Sequence, residues 1–411
     1  MPRRFEPLIG VVLVLYGAFA GVPIAILLGV VVLLLEGVRE VWSRWGLNGV
    51  EYRRLFERRS TNWGETLPLT IEIWNRKRLP LGWIRAHDKA SVGVEVTERD
   101  LTHVGKGELA LANTWALSAF ERVTRQYHVG ADRRGVFELG PVELSVGDVL
   151  GQEAAVASRH TMDRFVVRPR TVPASPLERH DRWGGLGRVR FAFTEDPARF
   201  AGLRAYAPGD PVRRIHARAS ARLGRPLIKR FEPSRDREFL VALDIQTLPG
   251  DTWRADQDAE ALEDLIVTAA SVARWLATQH AGIGFAAAAY SGTRSGIAYL
   301  PVSTAPSQLD RVLDLLARLS TRPSGTFERL LSTLARALSP GTTVIAITCR
   351  DARDFVGHLR ALEQRGCPVV VIGSGARADE AVGVARTAGL AAWIARLDAP
   401  WQTAGELVIA P

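Results

Sequence analysis

The segment RFAGLRAYAPGDPVRRIHARASARLGRPLIKRFEPSRDR, residues 199–237, joins two halves of the chain whose sequence patterns differ. It contains ten Arg and one Lys against three acidic residues, so its net charge of +8 nearly equals the +9 of the whole chain. The rest of the sequence is therefore close to neutral. With 411 residues, 47% of them hydrophobic, the chain can form two or three domains with cores of their own.

An uncharged apolar run comes early in the chain. Residues 8–35, LIGVVLVLYGAFAGVPIAILLGVVVLLL, hold no charged side chain over 28 positions, and a helix needs roughly 20 apolar residues to cross a bilayer. Gly17, Gly21 and Pro23 lie at its midpoint, and Arg residues flank both ends, which favours two cytoplasmic flanks. We predict a transmembrane hairpin over residues 1–48, with a single crossing or a cleaved signal peptide as the alternatives.

Residues 49–172 consist of short segments in which apolar and polar residues alternate. Examples are LPLTIEIW at residues 67–74 and GVFELGPVELSVGDVLG at residues 135–151, separated from their neighbours by Gly, Pro, Asn and Asp. This pattern is typical of an antiparallel sandwich. We therefore predict an immunoglobulin-like β-sandwich domain here.

The C-terminal half alternates apolar strands with amphipathic helices. Strand patterns include FLVALDI at residues 239–245 and TTVIAIT at residues 342–348. The predicted helices cover residues 258–280, 306–319, 327–338 and 352–364. Such alternation predicts a mostly parallel sheet with helices on both faces. Residues 238–411 are thus predicted to form a doubly wound α/β domain, with residues 173–237 as a linker that contains the basic segment.

The basic segment contains an ordered set of residues: Arg204, Tyr206, Pro208, Gly209, Asp210, Arg213, Arg214, His216, Arg222, Lys229 and Glu232. The order and spacing of this set closely resemble the signature of the domain-of-unknown-function 58 family. Ala217 departs from the pattern, since family members usually carry Trp there. The resemblance implies a bacterial protein with a membrane anchor, a β domain and a von Willebrand factor A-like domain. It also implies that the protein works as a partner of MoxR-type AAA+ ATPases. The family has no established catalytic activity.

The resemblance to a von Willebrand factor A-like domain implies a place where a divalent metal could bind. Such domains supply oxygen ligands from an Asp-x-Ser-x-Ser loop and from two further loops. The aligned positions here are Asp244, Gln246, Thr326 and Asp351. Leu248 stands at the last position of the first loop and has no ligand atom, and the Arg350 cation would oppose a metal. We therefore predict a degenerate site without a metal, and no cofactor.

Three interpretations of the basic segment stay open. Its arginines could pair with acids of this chain and clamp the joint between the domains. They could instead dock an acidic partner protein, because bidentate Arg contacts are geometrically selective. Anionic lipid or nucleic acid is the third possibility. Few aromatic side chains stand between the charges, namely Phe200, Tyr206 and Phe231, and the turns are too specific for a loose polybasic arm, which argues against this third interpretation.

The sequence carries no hydrolase pattern such as GxSxG or HExxH. Cys349 and Cys367 lie beside apolar strand patterns and indicate neither a disulfide framework nor a zinc site, and we expect His216 to hydrogen-bond within its own motif. We predict a non-enzymatic, membrane-anchored adaptor or scaffold with its soluble domains in the cytoplasm. It would work with a AAA+ ATPase in protein complex assembly or envelope maintenance. The alternative is an envelope protein whose outward-facing domains bind wall polymers or anionic lipid.

Overall fold

The computed structural model describes residues 6–104, 108–148, 151–176, 195–206, 215–233, 238–247, 258–291, 296–375 and 377–410. The chain divides into two compact units, Met1–Arg168 and Pro169–Pro411. The first unit combines two helices with two β-sheets, and the second is built around one large sheet with helices on both of its faces.

The first unit begins with two helices packed side by side, α1 (Glu6–Ala20) and α2 (Pro23–Trp45). Gly21 has a φ of 65°, a left-handed conformation that glycine adopts without strain, and Pro23 opens α2. The helices approach closely at Gly29, where a Cβ atom would lie 2.7 Å from the Gly10 carbonyl oxygen. Glycine at this position therefore allows the two backbones to touch.

In the described part of the chain, no helix is long and apolar enough to cross a membrane. Helix α1 has 15 residues, about 22 Å of helix against a hydrocarbon core of about 30 Å. Helix α2 has 23 residues, but its C-terminal half carries Glu36, Arg39 and Glu40. The turn at Gly21 divides the uncharged run between these two helices. The predicted fold class, which begins with a transmembrane hairpin, is therefore wrong.

Two sheets make up the rest of the first unit. The strands are β1 (Val50–Phe56), β2 (Ser60–Asn62), β3 (Leu67–Asn75), β4 (Leu81–Ala90), β5 (Val94–Val96), β6 (Thr102–Val104), β7 (Glu108–Leu117), β8 (Arg122–Ala131), β9 (Gly135–Gly147), β10 (Glu153–Arg159) and β11 (Asp163–Arg168). One sheet has the order β1-β3-β8-β5, and the other has the order β2-β11-β9-β4-β7-β6, with β10 beside β9. Alternate residues of β3 are buried, and both sheets contribute to one hydrophobic core.

A buried ion pair links the two sheets. Arg54 Nη1 on β1 lies 2.8 Å from Asp88 Oδ1 on β4, and both side chains are 1% exposed. Arg54 Nε lies 3.1 Å from Asp163 Oδ2, and the Tyr52 hydroxyl donates to Asp88 Oδ2 at 2.8 Å. Burial raises the pKa of Asp88 to about 6, and the Arg54 cation opposes that rise. The charges of Arg54 and Asp88 lie inside the core and depend on one another, since an unpaired buried charge is costly.

The second unit contains twelve described strands and six described α-helices. The strands are β12 (Ala174–Pro176), β13 (Glu195–Ala205), β14 (Leu227–Pro233), β15 (Glu238–Leu243), β16 (Gly282–Ala287), β17 (Ala289–Ser291), β18 (Ala298–Ser303), β19 (Leu319–Pro323), β20 (Thr343–Thr348), β21 (Val369–Ser374), β22 (Ala391–Leu397) and β23 (Leu407–Ala410). The helices are α3 (Ala217–Leu223), α4 (Ala259–Thr278), α5 (Gln308–Ala317), α6 (Phe327–Ala337), α7 (Val356–Gln364) and α8 (Ala378–Thr387).

The large sheet has the order β12-β23-β22-β21-β20-β15-β16-β18. Its central strands pair in parallel, whereas β18 pairs with β16 and β23 pairs with β22 in antiparallel fashion. Successive residues of β15 point to opposite faces: Val241 and Leu243 join the core under α4 and α5, and Leu240 and Ala242 join the core under α6, α7 and α8. Helices therefore cover both faces of this sheet.

We predict that Arg54→Met lowers the free energy of unfolding of the first unit by about 3 to 5 kcal/mol, because it leaves buried carboxylates without their cation. Arg53 is the matched control, since it lies on the same strand with a 61% exposed side chain paired to Glu51. Arg53→Met should cost about 1 kcal/mol or less. Denaturant unfolding of both variants measures the difference, and equal losses would contradict a structural role for the buried pair.

Candidate functional site

The carboxyl ends of β15 and β20 meet at the point where the strand order of the large sheet reverses. Strand β15 pairs in parallel with β16 on one side and with β20 on the other. The chain continues from β15 to α4 on one face and from β20 to α7 on the opposite face. Ligands of open α/β sheets bind in the crevice at such a point. Asp244 directly follows β15, and Arg350 lies two residues beyond β20.

A buried ion pair occupies this point. Arg350 Nε donates to Asp244 Oδ2 at 2.8 Å, and Nη2 donates to Glu328 Oε1 at 3.3 Å. The side chains of Arg350 and Asp244 are 8% and 1% exposed, so solvent screens their attraction little. Nη1 lies farther from a carboxylate, 3.9 Å from Asp354 Oδ2, and the guanidinium carbon is 5.6 Å from the centre of the Phe355 ring.

The Asp244 carboxylate accepts two further hydrogen bonds. Thr348 Oγ1 donates to Oδ2 at 3.0 Å, and the Gln246 backbone N–H donates to Oδ1 at 3.1 Å. Burial raises the pKa of Asp244, and the Arg350 cation and these hydrogen bonds oppose that rise. Burial acts to lower the pKa of Arg350, but Asp244 and Glu328 raise it above its ordinary value. The guanidinium therefore stays charged and holds the carboxylates in place.

The predicted metal-ligand positions do not converge. Asp351 accepts from the Arg353 backbone N–H at 3.0 Å and lies 3.1 Å from Arg353 Nε, so its carboxylate is engaged there. Gln246 is 4% exposed, and its buried Oε1 has no hydrogen-bond partner among the described residues. Within the described ranges, no three Asp, Glu, His or Cys side chains are grouped as metal ligands would be. With Arg350 beside Asp244, the residues present do not fit a bound Mg²⁺.

Sequence reasoning missed Glu328. Thr326 is the N-cap of α6, and its Oγ1 accepts from the Arg329 backbone N–H at 3.3 Å. Burial acts to raise the pKa of Glu328, but its own backbone N–H, the Thr326 hydroxyl and Arg350 lower it overall. Thr at the N-cap followed by Glu in the first turn is a common start of a helix. That signal places Glu328 at this edge, but its contact with Arg350 depends on the tertiary fold.

Both cysteines are buried and free. Cys349 Sγ lies 3.7 Å from the Gln246 carbonyl oxygen, a distance for a weak S–H hydrogen bond. Burial raises the pKa of the Cys349 thiol to about 12, and the nearby Asp244 adds to this rise. The thiol therefore stays protonated at neutral pH and packs as a small apolar group.

The basic segment is described in part. Outside the described residues lie Pro208, Gly209, Asp210, Arg213 and Arg214. Arg204 lies on β13, and Lys229 and Glu232 lie on β14, two strands that pair as an antiparallel ribbon. The Tyr206 backbone N–H donates to the Pro226 carbonyl oxygen at 3.0 Å, so the backbone pairing continues one residue beyond the end of β13.

The described middle of the segment contains the short helix α3 (Ala217–Leu223). His216 is its N-cap, and His216 Nδ1 accepts from the Ala219 backbone N–H at 3.2 Å. Arg222 lies exposed in the last turn, and Gly224 ends the helix in a left-handed conformation with a φ of 65°. The described part of the segment is thus a helix and a ribbon with specific hydrogen bonds.

A group of acidic side chains lies at the start of α4. Asp258 caps the helix and accepts from the Glu260 and Ala261 backbone N–H groups at 3.1 Å. Burial raises the pKa of Asp264 from its ordinary value of 3.8 to about 6, and the charges of Glu260, Asp258 and Glu263 contribute to that rise. Asp264 is half-buried, so its ionisation weakens the folded state.

Comparison with known proteins places the family match in the second unit. A sequence model described as "Protein of unknown function DUF58" matches residues 202–371. The "Uncharacterized protein YeaD" of Bacillus subtilis (strain 168) is 26% identical over 243 residues, which are 58% of this chain and 56% of that protein. The chain therefore spans a little over half of this curated relative. The expected resemblance to the family is confirmed for this region, whereas the von Willebrand factor A-like domain and the membrane anchor are not.

Solved structures give weaker similarities. A trypsin-activated alpha-2-macroglobulin from Escherichia coli is 18% identical, with a TM-score of 0.21, and the match covers 41% of this chain and 9% of that one. An alpha-2-macroglobulin of Salmonella is 16% identical, with a TM-score of 0.20, and the match covers 31% and 7% of the two chains. TM-scores this low do not establish a shared fold.

We predict that Asp264→Asn stabilises the protein at pH 7.5 by about 1 to 2 kcal/mol, a value reduced for the partial exposure of this carboxyl. Because its pKa is higher in the folded state, the wild-type protein should lose this stability as pH rises from about 4 to about 6. The asparagine of the variant does not ionise, so the variant's free energy of unfolding should not fall in this way. The variant and the wild type should therefore be about equally stable at about pH 4. Urea unfolding at both pH values measures this, and an advantage independent of pH would contradict the assignment.

Proposed function

We propose, from the family match over residues 202–371, that the chain is a non-enzymatic adaptor that binds a protein partner at the C-terminal edge of its large sheet. The observation that carries this proposal is the pairing of Arg350 with Asp244 and Glu328. General acid or base catalysis needs a group that is free to exchange a proton with a substrate. Both carboxylates here instead face an internal cation, and a preorganised polar edge is suited to recognition.

Two other side chains support a binding role over a catalytic one. The Cys349 thiol, with a pKa raised to about 12 by burial, is a poor nucleophile at neutral pH. His216 uses Nδ1 to cap α3. These groups have local structural roles, which is consistent with an adaptor.

We further propose that the second unit is a von Willebrand factor A-like domain. Its support is the strand order β18-β16-β15-β20-β21-β22, in which the end strand β18 is antiparallel to its neighbour. Asp244 follows the first of the central strands in the sequence, and Thr326 begins α6 at the same edge. Domains with this arrangement would present the edge to a partner.

As the partner we propose a MoxR-type AAA+ ATPase, which the family resemblance implies. Exposed charged side chains of both signs follow the two segments that form the buried pair. Arg353 and Asp354 are 78% and 67% exposed, and Arg329 is exposed in the first turn of α6, next to Glu328 in the sequence. Charged rims steer a complementary protein and set its orientation. The resulting complex would act in protein complex assembly or envelope maintenance. The expected location, at the cell membrane with cytoplasmic soluble domains, stays a prediction.

We predict that Arg329→Glu in the full chain reduces recovery of a MoxR-type ATPase from the same organism by about tenfold, a loss typical of an interface residue. Arg336→Glu is the matched control, because both arginines are exposed on α6. They are two helical turns apart, about 10 Å, so Arg336 lies away from the edge. A pull-down with purified ATPase in the presence of ATP measures how much ATPase the wild type and each variant retain.

The outcomes separate two parts of the proposal. Failure of the wild-type chain to retain the ATPase would exclude this partner. Equal retention by Arg329→Glu, Arg336→Glu and the wild type would exclude the edge as the docking surface. Thermal unfolding of both variants confirms that a lost interaction does not come from lost structure.

A further inference from the structure

The sheet edge at Asp244 already holds a cation, the Arg350 guanidinium of the same chain. We infer that the Arg350 guanidinium takes the place of a divalent ion at this edge, so that docking there is independent of divalent metals. We further infer that removing the guanidinium opens a divalent-cation site on the same oxygen atoms. The first statement rests on the proposed docking function, whereas the second concerns the chain alone.

The contacts of the Arg350 guanidinium support its replacement by a divalent cation. Asp244 Oδ2 and Glu328 Oε1 come from different segments of the chain, yet both contact one planar group, at 2.8 Å from Nε and 3.3 Å from Nη2. Thr348 Oγ1 lies 3.0 Å from the same Asp244 oxygen. Two carboxylates and a hydroxyl are ligands that hard divalent cations prefer, with water completing the coordination. The oxygen atoms for a cation are therefore present, and the guanidinium stands between them.

Charge explains why the two cations exclude each other. The carboxylates of Asp244 and Glu328 carry two negative charges, of which Arg350 neutralises one. A divalent ion at the same place would neutralise both, but it cannot enter while a second cation lies within a few Å in a site that is mostly buried. Without Arg350, the paired carboxylates would repel each other, and a divalent ion would relieve that repulsion.

The neighbouring arginine offers a matched control. Arg353 is 78% exposed and pairs with Asp351 at 3.1 Å. Its carboxylate partner is separate from Asp244 and Glu328, so removal of Arg353 opens no equivalent set of oxygen atoms. Removal of Arg350 therefore frees the paired carboxylates of Asp244 and Glu328, whereas removal of Arg353 does not.

The test uses the full chain as wild type, Arg350→Ser and Arg353→Ser, with millimolar MgCl₂, MnCl₂ or CaCl₂ or with EDTA. We expect the Tm of Arg350→Ser to rise by about 3 °C or more with at least one of these ions, because a ligand that binds only the folded state stabilises it. The wild type and Arg353→Ser should shift by less than about 1 °C. The double variant Arg350→Ser/Asp244→Asn should lose the rise.

Three results would overturn the inference: a metal-dependent rise in the wild-type Tm, a folded Arg350→Ser without any rise, or a rise that survives Asp244→Asn. If Arg350→Ser folds only with metal, recovery of soluble folded protein replaces the Tm and supports the inference. If it is insoluble under every condition, Arg350→Gln, which keeps most of the side-chain volume, is judged by the same Tm criterion.

The docking statement has its own measurement. ATPase recovery by the wild-type chain, with the nucleotide supplied so that the ATPase retains its own Mg²⁺, should not change when Ca²⁺ or Mn²⁺ is added. A dependence on either added ion would contradict metal-independent docking. Since the Tm experiment contains no ATPase, failure of the proposed partner and failure of the cation exchange give different results.

Discussion

The second unit depends on the ion pair between Asp244 and Arg350. The ends of β15 and β20 lie at the centre of the large sheet, where every described residue of β20 is buried. A lone carboxylate there would be strongly destabilising, and the guanidinium supplies the compensating charge. The same guanidinium reaches Glu328 in the first turn of α6. One side chain therefore ties two strand ends and one helix start into a fixed edge.

The α/β half of the chain was largely predictable because its local patterns agree with its tertiary structure. The helix expected over residues 258–280 is α4 (Ala259–Thr278), and TTVIAIT contains the buried strand β20. The N-terminal run was misinterpreted because apolar composition alone does not give helix length. The left-handed turn at Gly21 and the charges from Glu36 onward divide and limit the helices.

The site was predictable as a place on the sheet, but its contacts were not. Loop positions after parallel strands put Asp244 and Arg350 at one edge, and the sequence indicated that Arg350 would oppose a metal. It did not indicate that Arg350 would bind Asp244 itself. The expectation for Asp351 was limited in a similar way, because hydrogen bonding to Arg353 two residues later orients its carboxylate locally. Pairings between distant segments follow from the fold and not from spacing.

A double-mutant cycle between Arg350 and Asp244 tests the central claim most directly. The cycle compares the unfolding free energies of the wild type, Arg350→Met, Asp244→Asn and the double variant. If the pair is the interaction that holds the edge, the double variant should lose less unfolding free energy than the two single variants lose together. The difference should be about 2 kcal/mol or more. Losses that add within about 0.5 kcal/mol would contradict the claim.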